Sequence, residues 1–222
     1  MKELTQTLKT STISLLMLAL MFLVVEPAIG NAIEDQFTVT QVVTAEISFL
    51  TPASDIVMSP TLAGLTGGTA NGSTYVRVLT NNALGYTMTL TASSSVGMLG
   101  NSQGGSIPAY IPSDGIIPDF TFTTPANRAR FGYTVEASTT ADLAQAFLDN
   151  GSLCNTGAAD AVDSCWVNAS TTARTIINRT SATTSSGATT TIKFRTVINS
   201  NPLPAIPQDT YVAPTTLTAP PN

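Results

Sequence analysis

The sequence predicts an all-β fold: an antiparallel β-sandwich of immunoglobulin-like or pilin-like type, with one short helix and a long Gly/Pro-rich loop excursion. Three observations predict it. Apolar and polar residues alternate with a period of two over several stretches, the pattern of a strand with one face on a core. Turn-forming Gly, Pro and Asn residues separate those stretches at short intervals, which fits an antiparallel sandwich. Threonine fills 37 of the 222 positions while only 10% of residues are charged. The polar faces are therefore built from hydroxyls on a Cβ-branched side chain, which suits a pleated surface and loses freedom in a helix.

The chain begins with an apolar run from Ile13 to Val25, preceded by Lys2 and Lys9 and followed by Gly30-Asn31-Ala32. A membrane-spanning helix needs about 20 apolar residues, and Glu26-Pro27 stops this run short of that. Residues 1–32 are predicted to be a cleavable signal peptide, with an uncleaved N-terminal anchor as the alternative. The expected location is secreted, extracellular or on the cell surface, with no membrane span after cleavage. Residues 33–222 are predicted to form a single sandwich domain.

Within that domain the first element is a long amphipathic strand, Phe37 to Phe49. Phe37, Val39, Val43, Ala45, Ile47 and Phe49 share one parity, interrupted only by Gln41. Thr51-Pro52 and Ser59-Pro60 then leave at most a short strand near Ile56–Met58 before the turn-rich stretch Gly64–Gly72. Tyr75–Thr80 and Tyr86–Ala92 read as the two arms of a hairpin around Asn81-Asn82-Ala83-Leu84-Gly85, whose Asn and Gly supply positive φ. Residues 96–127 form the loop insertion, because Pro108, Pro112, Pro118 and Pro125 interrupt any ladder; Asp119–Thr123 is a candidate edge strand within it. Phe131–Ala137 returns to the sandwich.

Thr140–Asn150 carries Leu143, Phe147 and Leu148 at helical spacing, with Thr139 or Thr140 as N-cap and Gly151 just past the end, and is predicted to be the one helix. Residues 140–165 thus hold the helix and a cysteine loop. Arg174–Arg179 and Thr189–Asn199 are predicted strands. The second alternates Ile192, Phe194, Thr196 and Ile198 against Lys193, Arg195 and Val197. The last strand spans Thr210 to about Ala219, with Pro214 marking an edge or a bulge.

Charge and cysteine usage exclude several classes. Net charge is -5 and is unchanged when the signal takes Lys2, Lys9, Glu3 and Glu26 away. Lys193 is then the only lysine, so a nucleic-acid partner, which needs clustered cations, is not expected. Cys154 and Cys165 are the only cysteines, and in an exported chain an even pair at short spacing predicts a disulfide. A zinc site is the rival reading; the chain has no histidine to complete it.

The absence of histidine also removes Ser-His-Asp and Cys-His catalysis. Catalysis would have to rest on carboxylates such as Asp114, Asp119 and Glu136 or on a Ser-Lys pair using Lys193. Solvated loop acids and a strand-face glutamate account for the same residues, and no enzyme activity and no cofactor are predicted. Asp149, Asp160 and Asp163, with Asn155, supply oxygen donors suited to calcium, although their spacing matches no known loop. Lys193, set between Ile192 and Phe194, is a candidate for an isopeptide cross-link to an Asn or Asp. Tyr75, Tyr110, Tyr133 and Trp166 are candidates for a sugar-binding platform, against the alternative that they are core. Asn71, Asn168 and Asn178 head Asn-x-Ser/Thr sequons.

The layout also carries a resemblance. An opening alternating strand is followed by Gly67-Gly68-Thr69-Ala70-Asn71-Gly72-Ser73, then by Asn82-Ala83-Leu84-Gly85-Tyr86-Thr87-Met88-Thr89-Leu90. The ending Ile206-Pro207-Gln208-Asp209-Thr210-Tyr211-Val212 is similar to a Pro-x-Gly-x-Tyr closing strand, with Asp209 in place of glycine. In these features the chain resembles the secreted β-sandwich proteins grouped as spore-coat-U-like and WxL-like, and more distantly the pilins assembled through chaperone and usher. The resemblance implies a cell-surface coat, an adhesive role or a pilus-like fibre. Trp166 is followed by Val167-Asn168, so a Trp-x-Leu motif is absent. The expected function is an exported, non-catalytic structural or adhesive surface protein whose partner is a second copy of itself or a cell-surface polysaccharide; a carbohydrate-binding module is the alternative.

Overall fold

The computed structural model describes residues 33–222, so the signal expected over 1–32 lies outside the described residues. Val43–Asn222 form one compact unit. Residues 33–42 belong to a separate unit and carry no regular secondary structure.

Eleven strands build the compact unit: β1 (Ile47–Thr51), β2 (Gly68–Thr80), β3 (Tyr86–Ala92), β4 (Gly97–Gly100), β5 (Ser106–Pro108), β6 (Ala129–Ala137), β7 (Val167–Asn168), β8 (Arg174–Arg179), β9 (Ala188–Ile198), β10 (Tyr211–Val212) and β11 (Thr215–Thr218). Every ladder between them is antiparallel. The order is β1-β2-β9-β6-β7 in a five-stranded sheet and β11-β3-β8 in a three-stranded sheet, with β10-β4-β5 as a small third one. The fold is an all-β, antiparallel sandwich.

Alternation decides what faces inward. Along β9 burial switches at every residue, with Ala188, Thr190, Ile192, Phe194, Thr196 and Ile198 buried and their neighbours half-buried. Val76 and Val78 from β2 and Phe131, Tyr133 and Val135 from β6 join that face. They pack on Tyr86, Met88 and Leu90 from β3 and on Ile176 and Ile177 from β8. Each fully buried side chain of this size stabilises by roughly 1.5–3 kcal/mol, and this shared core holds the two larger sheets face to face.

Four expectations are corrected. Tyr75–Thr80 and Tyr86–Ala92 do not pair as a hairpin: β2 pairs with β1 and β9, whereas β3 pairs with β11 and β8. Residues 81–85 are a corner that carries the chain from one sheet to the other, with Gly85 at φ +76° where an added Cβ would meet the Arg179 carbonyl oxygen at 2.1 Å. The helix over Thr140–Asn150 is replaced by two 3-10 turns, Thr140–Asp142 and Gln145–Phe147. Between them Ala144 is extended and its N–H donates to the Ile176 carbonyl, so a bond to β8 interrupts the helix while Leu143, Phe147 and Leu148 still reach the core.

The strand expected over Phe37–Phe49 exists only from Ile47, because its partner β2 ends at Thr80, opposite Ile47. Nor is Asp119–Thr123 a strand; Asp119 alone forms a bridge, to Trp166. The insertion over 96–127 does contain β4 and β5, which pair with each other, and β4 pairs on its other side with β10. The closing strand is split into β10 and β11 on either side of Ala213-Pro214, as the proline requires.

Candidate functional site

The two edges of the five-stranded sheet differ in how they are covered. On β6, residues of both parities are buried from Phe131 to Val135, although a two-sided strand in a sandwich should alternate. The reason is a second layer on its outer side. Gly132 admits it: an added Cβ there would stand 2.8 Å from Tyr110 Cβ and from the Val167 carbonyl oxygen. Tyr110 and Phe122 have ring centroids 4.5 Å apart, and Phe122 meets Trp166 edge-on at 5.3 Å. The Arg195 guanidinium lies 4.3 Å from the Trp166 ring, a cation–π contact that closes the cluster.

Polar groups in this layer are matched. The Trp166 indole N–H donates to the Asp163 carbonyl (2.8 Å), and the Tyr110 hydroxyl donates to Asp119 Oδ2 (2.6 Å). Burial, with the Asp119 carboxylate next, raises the Tyr110 pKa above its ordinary value. Tyr133 faces the inner core, where burial raises its pKa also. Tyr110, Tyr133 and Trp166 are each 1% exposed, so they are core, and the platform weighed as the alternative is not assembled. Tyr75 alone of the four candidates is exposed, opposite Thr191 of β9.

The loop beneath Trp166 is tied by the expected disulfide, Cys154–Cys165, with Cα atoms 5.6 Å apart. Asp149 organises it. Fully buried, this carboxylate accepts the N–H groups of Gly151 (2.7 Å) and Ala161 (2.8 Å). Asp160 accepts the Ala137 N–H, and partial burial raises its pKa. Asp163 accepts from Lys193 Nζ at 3.0 Å. Among the described residues no group of three His, Cys, Asp or Glu could hold a metal ion, and the calcium site considered for Asp149, Asp160 and Asp163 is not formed: each carboxylate serves a different donor.

Lys193 lies between Glu136 Oε1 (2.6 Å) and Asp163 Oδ1 (3.0 Å) on the outer face. Partial burial pulls its pKa down, but the hydrogen bonds it donates to the two carboxylates, with their charge, outweigh that and hold it above the ordinary value. Of the Asn or Asp partners weighed for an isopeptide cross-link, Asp163 is the one the fold brings to Lys193, as an ion pair. The carboxylates weighed for catalysis stand apart in role: Asp114 caps the N–H groups of Ile116 and Ile117, Asp119 holds Tyr110 and Ser113, and Glu136 pairs with Lys193. Asn71, the first sequon, accepts from Arg195 Nε at 2.8 Å.

The opposite edge is open. Between residues 53–58, which continue the chain beyond β1, and residues 211–217, a cleft of about 490 Å³ opens onto the core. Its walls include Ile56, Met58, Leu90, Phe194, Val212 and Leu217. Thr74 and Ser54 form a polar spot there, the Ser54 N–H donating to Thr74 Oγ1 at 2.9 Å. Sequence reasoning missed this cleft; the only sign of it was the break in alternation at Thr51-Pro52 and at Pro214.

Residues of the leading segment are exposed among the described residues. Phe37 and Val39 are each 83% exposed and Val43 is 79% exposed. Nearer β1 the chain is fixed: the Glu46 N–H donates to Asn81 Oδ1 (2.6 Å) and Asn81 Nδ2 donates to the Thr44 carbonyl (3.0 Å).

Fold and site together define a disulfide-tied antiparallel β-sandwich, sealed on one edge and cleft on the other. No protein-family model matches the chain, and no curated protein matches it at a significant level. No helix among the described residues is long and apolar enough to cross a membrane.

Proposed function

We propose that this chain is an exported, non-catalytic structural or adhesive protein of the cell surface, acting as a component of a coat or filament. One observation carries the reading. The run Phe37–Ala45 repeats apolar residues on one parity, yet Phe37, Val39 and Val43 are exposed among the described residues. An exposed alternating segment is a template for pairing with another chain, and low charge over the whole protein leaves little repulsion against it. The disulfide supports an oxidising compartment, and the signal expected over 1–32 supplies the route.

The competing reading is a carbohydrate-binding module, which draws on exposed Tyr75 amid the hydroxyls of the outer face. Sedimentation of the mature protein over a rising concentration series, with electron microscopy of the same samples, separates the two. Concentration-dependent oligomers or filaments are expected. A protein that stays monomeric throughout and co-sediments with insoluble polysaccharide overturns the assembly reading in favour of the module.

A further inference from the structure

We infer that Met58, Met98 and Thr196 form a binding site for a soft monovalent cation with a filled d shell, Cu(I) or Ag(I), at the floor of the open cleft. The inference goes beyond the surface role proposed above and does not depend on it. The Thr196 hydroxyl oxygen lies 3.6 Å from Met58 Sδ and 3.6 Å from Met98 Sδ. The two sulfurs are therefore no more than about 7 Å apart, and methionine side chains are unbranched and flexible enough to close on one shared ion. Both methionines line the cleft and are half-buried, which gives the ion a path in from solvent.

Three distant parts of the chain bring these atoms together. Thr196 is on β9, 2% exposed, opposite Ala70 of β2 and Phe131 of β6. Met98 comes from β4, and Met58 from the stretch that lies against Gly72 of β2. Gly72 admits that stretch: an added Cβ would stand 2.4 Å from Ile56 Cγ2 and 3.3 Å from Met58 Cγ.

The donor set decides the class of ion. A buried hydroxyl is ordinarily matched by oxygen or nitrogen, yet among the described residues Thr196 Oγ1 has only thioether sulfurs, which are weak acceptors. Its single proton serves one sulfur at a time, so the other keeps its lone pairs open. Two thioethers and one hydroxyl oxygen do not suit calcium or magnesium, which take oxygen donors, but thioether sulfur selects Cu(I) and its heavier analogue. Zinc and Cu(II) are served by imidazole or thiolate, and the chain has no histidine and holds both cysteines in a disulfide. A thioether, unlike a thiol, is not consumed by disulfide formation, so this pair keeps its donors in an oxidising compartment.

The composition also makes the test selective. Beyond residue 32 the methionines are Met58, Met88 and Met98, and Met88 is 0% exposed in the core. The mature protein, isotope-labelled at its methionine methyl carbons for NMR, is titrated with silver nitrate in chloride-free buffer; Ag(I) stands in for Cu(I) without its redox chemistry. Saturation near one equivalent is expected, with the Met58 and Met98 methyl signals moving together and that of Met88 staying in place. Calcium nitrate should move none of them. Met58→Leu and Met98→Leu, which conserve volume, should each weaken Ag(I) binding by about tenfold or more, whereas Met88→Leu should leave it unchanged. The inference is overturned by the lack of a saturable shift, by equal shifts at all three methionines, or by unchanged affinity in both Met58→Leu and Met98→Leu. The methyl spectrum of the parent protein decides the matter even where a variant fails to fold. None of these outcomes bears on the assembly reading, which the concentration series decides.

Discussion

At the β6–β7 edge a long strand is buried on both faces, roofed by Tyr110, Phe122 and Trp166 and braced by a disulfide; at the β1–β11 edge core side chains look into an open cleft. The same chain thus finishes one edge with its own loops and leaves the other unfinished. Residues that seal an edge carry stability, whereas residues beside an open one carry little in the isolated molecule and are available for association. Low charge sharpens the contrast, since edges are commonly protected by lysine and the one lysine expected after processing is engaged with Glu136 and Asp163 on an outer face.

Substitutions that attack the sealed side should have the largest effects. Trp166→Ala removes the centre of the outer cluster and leaves Arg195 without its ring; a loss of about 3–5 kcal/mol is expected, read by urea unfolding followed by circular dichroism. A loss below 1 kcal/mol would mean that the outer layer is ornamental. Replacing Cys154 and Cys165 together by Ala should cost about 3 kcal/mol, by loop closure, in the same assay. An alkaline titration addresses the inner core beneath. Burial pushes the Tyr86 pKa up from 10.0 to about 12, so the folded protein retains this proton while the unfolded chain releases it. The contribution is complete below pH 10 and is lost as pH rises to about 12, to the extent of about 2–3 kcal/mol, and Tyr86→Phe should flatten the pH dependence of unfolding in that window. The smallest effect belongs to the open side: Phe37→Asp should change the stability of the monomer by less than about 0.5 kcal/mol. A larger change would show that the segment is already packed in the single molecule, and the contrast between edges would be broken.

Much of the sandwich was legible in the residues. β8 was expected at its observed bounds, β9 within one residue at each end, and β6 within two; in β9 the alternation leaves one parity no place but the core. Pairing was less legible. Tyr75–Thr80 and Tyr86–Ala92 each have an inward row, and a five-residue link is compatible with a hairpin or with a corner; only the competition of β1, β9, β11 and β8 for their edges decides, and that is not local. Leu143, Phe147 and Leu148 have helical spacing, but a backbone bond to Ile176 outweighs a short helix of modest propensity. For the candidate site the disulfide was legible from spacing and compartment. The fate of Tyr110 and Trp166 was not, because whether an aromatic residue is platform or core depends on a glycine distant from both in the sequence, Gly132 on β6.

Trp166 is the only tryptophan in the chain, and it lies beneath Arg195 on the sealed side. Intrinsic emission excited at the red edge therefore watches a single spot. It should jump when that half of the molecule melts, so an optical signal that the fold itself has placed reports unfolding of the sealed side in one cuvette, with no dye attached.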